Sequence, residues 1–108
     1  MSGYSRWMEK SFVSGTFPPE HRAVVTISGT GTVGQVLTAT TGAWTNTPSS
    51  YGYQWLRGPG PPWTNIGTNA STYTLVAGDS GFPVRCVVTA VNAAGSTLGP
   101  PSDPIRIA

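Results

Sequence analysis

Between Tyr51 and Arg57 the sequence Tyr-Gly-Tyr-Gln-Trp-Leu-Arg places a large aromatic ring at every second position. Alternate residues of an extended strand share one face, so Tyr51, Tyr53 and Trp55 are either hidden together or exposed together. Hiding them removes the most apolar area from water, which assigns that face to a core. The stretch Val84 to Val91 has the matching pattern: Val84, Cys86, Val88 and Ala90 point one way, and Arg85, Val87 and Thr89 the other. Two strands alone are at best marginally stable in water, so the rest of the chain must supply the strands that close over this pair.

The flanking sequence supplies them. Ala23 to Ile27 reads as a first strand, ended by Ser28-Gly29-Thr30-Gly31. Val33 to Thr40 reads as a second, with Val33, Leu37 and Ala39 inward and Gln35, Thr38 and Thr40 outward. A loop at Asn46 to Ser50 precedes the aromatic strand, and Gly58-Pro59-Gly60-Pro61-Pro62 stops it, because proline fits neither a helix interior nor a central strand. Trp63 to Ile66 is a short strand. Thr72 to Val76 follows with Tyr73 and Leu75 inward, and Ala77 to Gly81 makes a tight corner in which Asp79 caps its own turn. Asn92-Ala93-Ala94-Gly95 supplies a hairpin turn, and a last strand from Ser96 to Ile107 is interrupted by Pro100, Pro101 and Pro104, which confines it to an edge. About seven short strands with no helical period predict an all-β sandwich over residues 22–108.

Residues 1–21 have a different character. They hold four of the ten charged residues, two prolines near their end, and scattered Tyr4, Trp7, Met8, Phe12 and Phe17. This is more bulky apolar content than a solvated tail usually carries, which favours an extended docking arm over a frayed terminus. Arg6, Trp7, Met8, Lys10, Phe12 and Phe17 are its candidate partner contacts, with Pro18-Pro19 as a stiff joint. Fully stretched, the arm would reach roughly 60 to 70 Å.

Charge narrows the functional classes. Only 9% of residues are charged, against roughly 25% in ordinary soluble domains, and 15 Thr, 11 Ser and 14 Gly supply the polarity instead. A net charge of +2 without any basic run gives no footprint for nucleic acid. Cys86 is the only cysteine, which excludes an internal disulfide, and its valine neighbours mark it as a small buried hydrophobe. The first twenty residues lack the apolar run of a secretory signal, and no stretch is long enough for a membrane-spanning helix.

Taken together, Val33-Gly34-Gln35-Val36-Leu37-Thr38-Ala39, Gly42-Ala43-Trp44, Tyr53-Gln54-Trp55, Ser71-Thr72-Tyr73-Thr74-Leu75, Gly78-Asp79-Ser80-Gly81 and the run from Val84 to Ser96 resemble the immunoglobulin-like modules of bacterial surface proteins and bacteriophage virions. The resemblance covers residues 23–108 and implies a Greek-key sandwich. Two features depart from the disulfide-bonded members. Leu37 stands where a partner for Cys86 would be needed, so the stabilisation of the missing bridge, typically about 2 to 4 kcal/mol, falls to packing of Leu37, Tyr53, Trp55, Tyr73, Leu75, Cys86 and Val88. Val84 occupies the place of the corner tyrosine, so no corner hydrogen bond is expected there; Phe82-Pro83 is the candidate brace.

Catalytic and cofactor patterns fail on inspection. Gly29-Thr30-Gly31-Thr32-Val33-Gly34 matches the dinucleotide motif by letter, but the sequence after it alternates like a strand, whereas that motif needs a helix N-terminus for the pyrophosphate. His21 is the only histidine and shares no motif with Asp79 or Asp103, so a triad is not expected. The acids do not cluster as metal ligands do, and no cofactor is expected. Asn69-Ala70-Ser71 has the form of a glycosylation acceptor. Trp44 and Trp63 are the aromatics outside the core pattern and the candidate glycan-stacking positions.

The resulting expectation is a non-enzymatic virion accessory protein, made in the host cytoplasm, whose arm docks many copies onto a viral capsid or tail lattice and holds out one immunoglobulin-like knob. A head-decoration role is preferred to a tail role. The outward loops Asn46 to Ser50 and Gly58 to Trp63 are available to host surfaces. The alternative is a module that binds cell-surface carbohydrate through Trp44 and Trp63. Nucleic-acid binding and membrane insertion are not expected.

Overall fold

In a computed structural model, residues 17–108 are described, and they contain strands and one 3-10 turn. The architecture is all-β. The aromatic strand β5 (Ser50–Arg57) pairs antiparallel with β8 (Pro83–Asn92) along its whole length, with Tyr53 opposite Val88 and Trp55 opposite Cys86. The short strand β6 (Thr64–Ile66) adds to the far side of β5. Beyond β8, both β9 (Gly95–Leu98) and β10 (Ile105–Arg106) pair with it. A second sheet runs β2 (Ile27–Ser28), β3 (Val36–Ala39), β7 (Thr72–Thr74), and a two-stranded ribbon joins β1 (His21–Ala23) to β4 (Ala43–Trp44).

The two larger sheets share one core, as in a β-sandwich. Val84, Cys86, Val88 and Ala90 are fully buried on β8, and Trp55 on β5, while Leu37 and Ala39 on β3, with Leu75 just beyond β7, cover them from the other sheet. Trp55 and Tyr73 stack across this interior with ring centroids 5.7 Å apart. The indole N–H of Trp55 donates to the Ala70 carbonyl at 2.9 Å, so burying the ring leaves no donor unpaired. Tyr51 and Tyr53 are half-buried against the same cluster.

Several expectations require correction. The strand expected over Ala23 to Ile27 is split: β1 pairs with β4, β2 pairs with β3, and the chain crosses between them at Val25, which is buried. Among the described residues ten strands, most of them two to four residues long, therefore replace about seven. Val33 is not a core residue but 38% exposed, because it sits in the turn closed by the Gln35 N–H on the Thr32 carbonyl, with Gly34 at φ +91. The last strand is two strands, β9 and β10, both on the β8 edge, separated by the proline-containing stretch from Gly99 to Pro104. The glycines of the Gly29 to Gly34 motif lead into β3, not into a helix.

The boundary expected between residues 21 and 22 cuts β1 after its first residue, His21. Pro19 is among the fully buried side chains, so Pro18-Pro19 is part of the fold and not a free joint. Of the candidate arm contacts, Phe17 alone is described. Arg6, Trp7, Met8, Lys10 and Phe12 lie outside the described residues.

Candidate functional site

Because β5 and β8 run the length of the sandwich, the chain features that flank them lie at opposite ends. At the end near Ser50 and Asn92 the N-terminal segment joins the fold. Asn92 is 8% exposed and uses its whole amide: Nδ2 donates to the carbonyls of Phe17 and Asn46, both at 2.8 Å, and Oδ1 accepts from the N–H groups of Ala94 and Gly95. Asn46, at φ +62, donates from Nδ2 to the Pro18 carbonyl at 2.9 Å, and the Thr45 N–H donates to the Glu20 carbonyl. Residues 17–20 are thus held at four successive positions, counting buried Pro19. A polypeptide entering here leaves the sandwich from a fixed place. The sequence marks Asn92 only as a turn residue, because the position that it clamps, Phe17, lies 75 residues away.

The opposite end is closed by charge. Asp79, in the 3-10 turn Ala77–Asp79, is fully buried. Its Oδ1 accepts from Arg57 at 2.9 Å; its Oδ2 accepts from the Tyr73 hydroxyl at 2.7 Å and from the Val76 N–H at 2.9 Å. The last bond is the turn cap expected of Asp79; the other two reach β5 and β7. Burial pushes the Asp79 carboxyl upward, but the bonds from Val76, Tyr73 and Arg57, with the guanidinium charge, outweigh it and hold the acid below its ordinary range. Burial, then the bond to Asp79, raises the Tyr73 hydroxyl to about 12. Phe82 lies under the Arg57 guanidinium at 5.6 Å, which braces the same corner.

These partners define what the titratable groups are occupied with. Asp79 holds three donors, and Cys86 is fully buried with its thiol pushed up to about 11 by burial. The His21 ring meets Trp44 edge to face at 5.4 Å. Among the described residues no group of three or more His, Cys, Asp and Glu side chains is placed to hold a metal. Asn69 is engaged too, its Oδ1 accepting from the Tyr53 N–H at 2.7 Å.

The two candidate stacking tryptophans are both half-buried. Trp44 donates its indole N–H to the Thr41 carbonyl at 2.6 Å and packs over Gly99, where a side chain would approach its ring within 3.0 Å. Trp63 lies across Gly58 and Gly60, and the Arg85 guanidinium covers one ring face at 3.9 Å. The structure does not bring the two together: Trp44 belongs to β4, beside the N-terminal segment, and Trp63 to the loop at the Arg57 end. The candidate outward loops separate in the same way, Asn46 to Ser50 at the anchoring end and Gly58 to Trp63 at the far end. No protein-family model, no curated protein and no solved structure matches this chain.

Proposed function

We propose that the protein is a non-enzymatic display module: an immunoglobulin-like Greek-key sandwich carried on a virion, most simply a capsid head, through its N-terminal leader. The observation that supports this reading is polarity. Asn92 and Asn46 bind the backbone of residues 17 and 18 at one end of β5, while the Gly58 to Trp63 loop lies at the other. Residues 17–20, fixed in this way, set where the leader departs from the sandwich, and many copies on a lattice convert modest individual affinity into durable attachment. Trp7, Met8 and Phe12 supply the apolar anchors of the docking segment, with Arg6 and Lys10 beside them for register.

The immunoglobulin-like assignment is supported by the strand neighbours, with β5 and β8 central in one sheet and β3 central in the other, and by Trp55 packed in the interior beside Cys86. The experiment compares the full chain with one lacking residues 2–16, each produced in its host and fractionated by sedimentation of particles from the lysate. The full chain is expected in the particle fraction and the shortened chain, with an unchanged circular dichroism spectrum, in the supernatant. Equal sedimentation of the two would contradict leader docking.

A further inference from the structure

β2 is an edge strand of one sheet and β10 an edge strand of the other, and a cleft opens between them. It has a volume of about 220 Å³ and is lined by Val25, Thr26, Ile27, Asp103, Pro104 and Ile105. One wall is a free sheet edge. The Thr40 N–H donates to the Thr26 carbonyl and Ile27 lies opposite Ala39, so the alternation of an antiparallel ladder turns the N–H and C=O of Ile27 away from β3. Neither group meets another partner among the described residues. The other wall is a bulge. The Ser102 N–H donates to the Cys86 carbonyl and Ile105 lies opposite Val84, so Asp103 and Pro104 together oppose Arg85 alone and the chain bends away from β8.

We infer that this cleft takes a lysine side chain carried on an extended segment of another protein, the segment adding as a strand to the free edge of β2. The walls are largely aliphatic: Val25 is fully buried, and Ile27 and Ile105 pack against the core. The lining also holds an acid without a counterion. Among the described residues Glu20 is paired with Arg22 and Asp79 with Arg57, while exposed Asp103 has no ion pair. A lysine answers both features, because its four-carbon stem lies along apolar surface while its ammonium reaches a carboxylate. The lining has no aromatic ring on which a guanidinium or a sugar would stack.

Size agrees with a side chain and not with a free small molecule, since sites for the latter usually span roughly 300 to 1,000 Å³. The unpaired N–H and C=O of Ile27 supply main-chain bonds to an added strand, and the cleft beside them selects its side chain. Lys10 is the only lysine of this chain, so the described surface of a second copy offers no such group. Both walls belong to the sandwich, and the inference therefore stands apart from leader docking. An exposed acid contributes modestly, about two- to fivefold in affinity, and the strand bonds add to it.

Methyl NMR spectra of the full chain, titrated with butylammonium chloride, test the side-chain site, with 1-butanol and sodium butyrate as references. Saturable shifts are expected at Val25, Ile27 and Ile105, with a dissociation constant on the order of 10 mM, and weaker binding of both references. Asp103→Asn should weaken the ammonium about two- to fivefold and leave 1-butanol unchanged. The peptide acetyl-Ala-Val-Lys-Val-Ala-amide adds the strand bonds and should bind at least about tenfold more tightly. At about ten times its dissociation constant it should slow exchange of the Ile27 amide hydrogen about tenfold. References that shift the same methyls as strongly as the amine, an ammonium indifferent to Asp103→Asn, or an Ile27 amide that exchanges as fast with the peptide as without it would overturn the inference. So would binding seen only after removal of residues 2–16, which would assign the cleft to the leader, or shifts that grow with protein concentration alone, which would assign it to a second copy.

Discussion

Replacing Asp79 by Ala removes the acceptor for three donors at once. Arg57, with 27% of its side chain exposed, recovers part of its loss by hydration. The Tyr73 hydroxyl and the Val76 N–H are less able to, and each stranded buried donor costs about 1 to 3 kcal/mol. Removing one member of a buried ion pair costs about 3 to 5 kcal/mol in comparable settings, so Asp79→Ala is expected to lose about that much. Against a typical total stability of about 5 to 15 kcal/mol, the variant sits near its folding limit. Asp79→Asn, which keeps one carbonyl acceptor, should lose about 2 kcal/mol and remain measurable. Urea unfolding followed by circular dichroism gives these differences directly, with the slope unchanged if the native and unfolded states keep their compactness. Arg57→Met, which leaves Tyr73 and Val76 paired, should cost less than Asp79→Ala. If Asp79→Ala costs under about 1 kcal/mol, comparable to a change at the exposed Asp103, the corner network is not what closes this end of the sandwich.

The same network sets the pH range of stability. The folded Asp79 acid is depressed, so its contribution is full above the ordinary carboxylate range and is lost as pH falls through the lowered folded value; Tyr73 is raised to about 12, so its contribution is full below about 10 and is lost as pH rises towards about 12. Thermal melting should show a plateau bounded on both sides, and Tyr73→Phe should lessen the alkaline fall without abolishing it, because the buried Cys86 thiol, raised to about 11, and the raised Tyr53 hydroxyl contribute to the same fall. Cys86 is expected to resist iodoacetamide at pH 8 in the native protein and to react on unfolding in urea, as mass spectrometry would record; rapid native labelling would contradict its burial. Asn92→Ala strands two carbonyls and two N–H groups, and should destabilise the fold by about 2 to 3 kcal/mol while increasing proteolysis ahead of β1.

Period-2 patterning made the central pair legible, because β5 and β8 are long and each buries one face: Trp55, Val84, Cys86, Val88 and Ala90 are all fully buried. The short strands were less legible. In Ala23 to Ile27 a crossing between two sheets looks like a continued strand, since Val24 and Val25 have the same propensity although one is 45% exposed and the other buried. The proline interruptions between Ser96 and Ile107 marked the break into β9 and β10 without showing that both return to the same edge. Side-chain networks were hidden because sequence distance conceals them. Arg57 and Asp79 lie 22 positions apart and Asn92 and Phe17 lie 75 apart, and neither pair belongs to a spaced motif. The alternation gave Arg85 its outward direction, but not its seat on Trp63, which depends on how the Gly58 to Pro62 loop folds back.

The proposed docking of the leader on a virion lattice is read most directly by site-specific photocrosslinking on assembled particles. With a photoreactive phenylalanine analogue replacing Trp7 in one variant and Trp63 in another, irradiation is expected to join the protein to a lattice subunit from position 7 and to yield no such adduct from position 63. Adducts from position 63 with none from position 7 would contradict it.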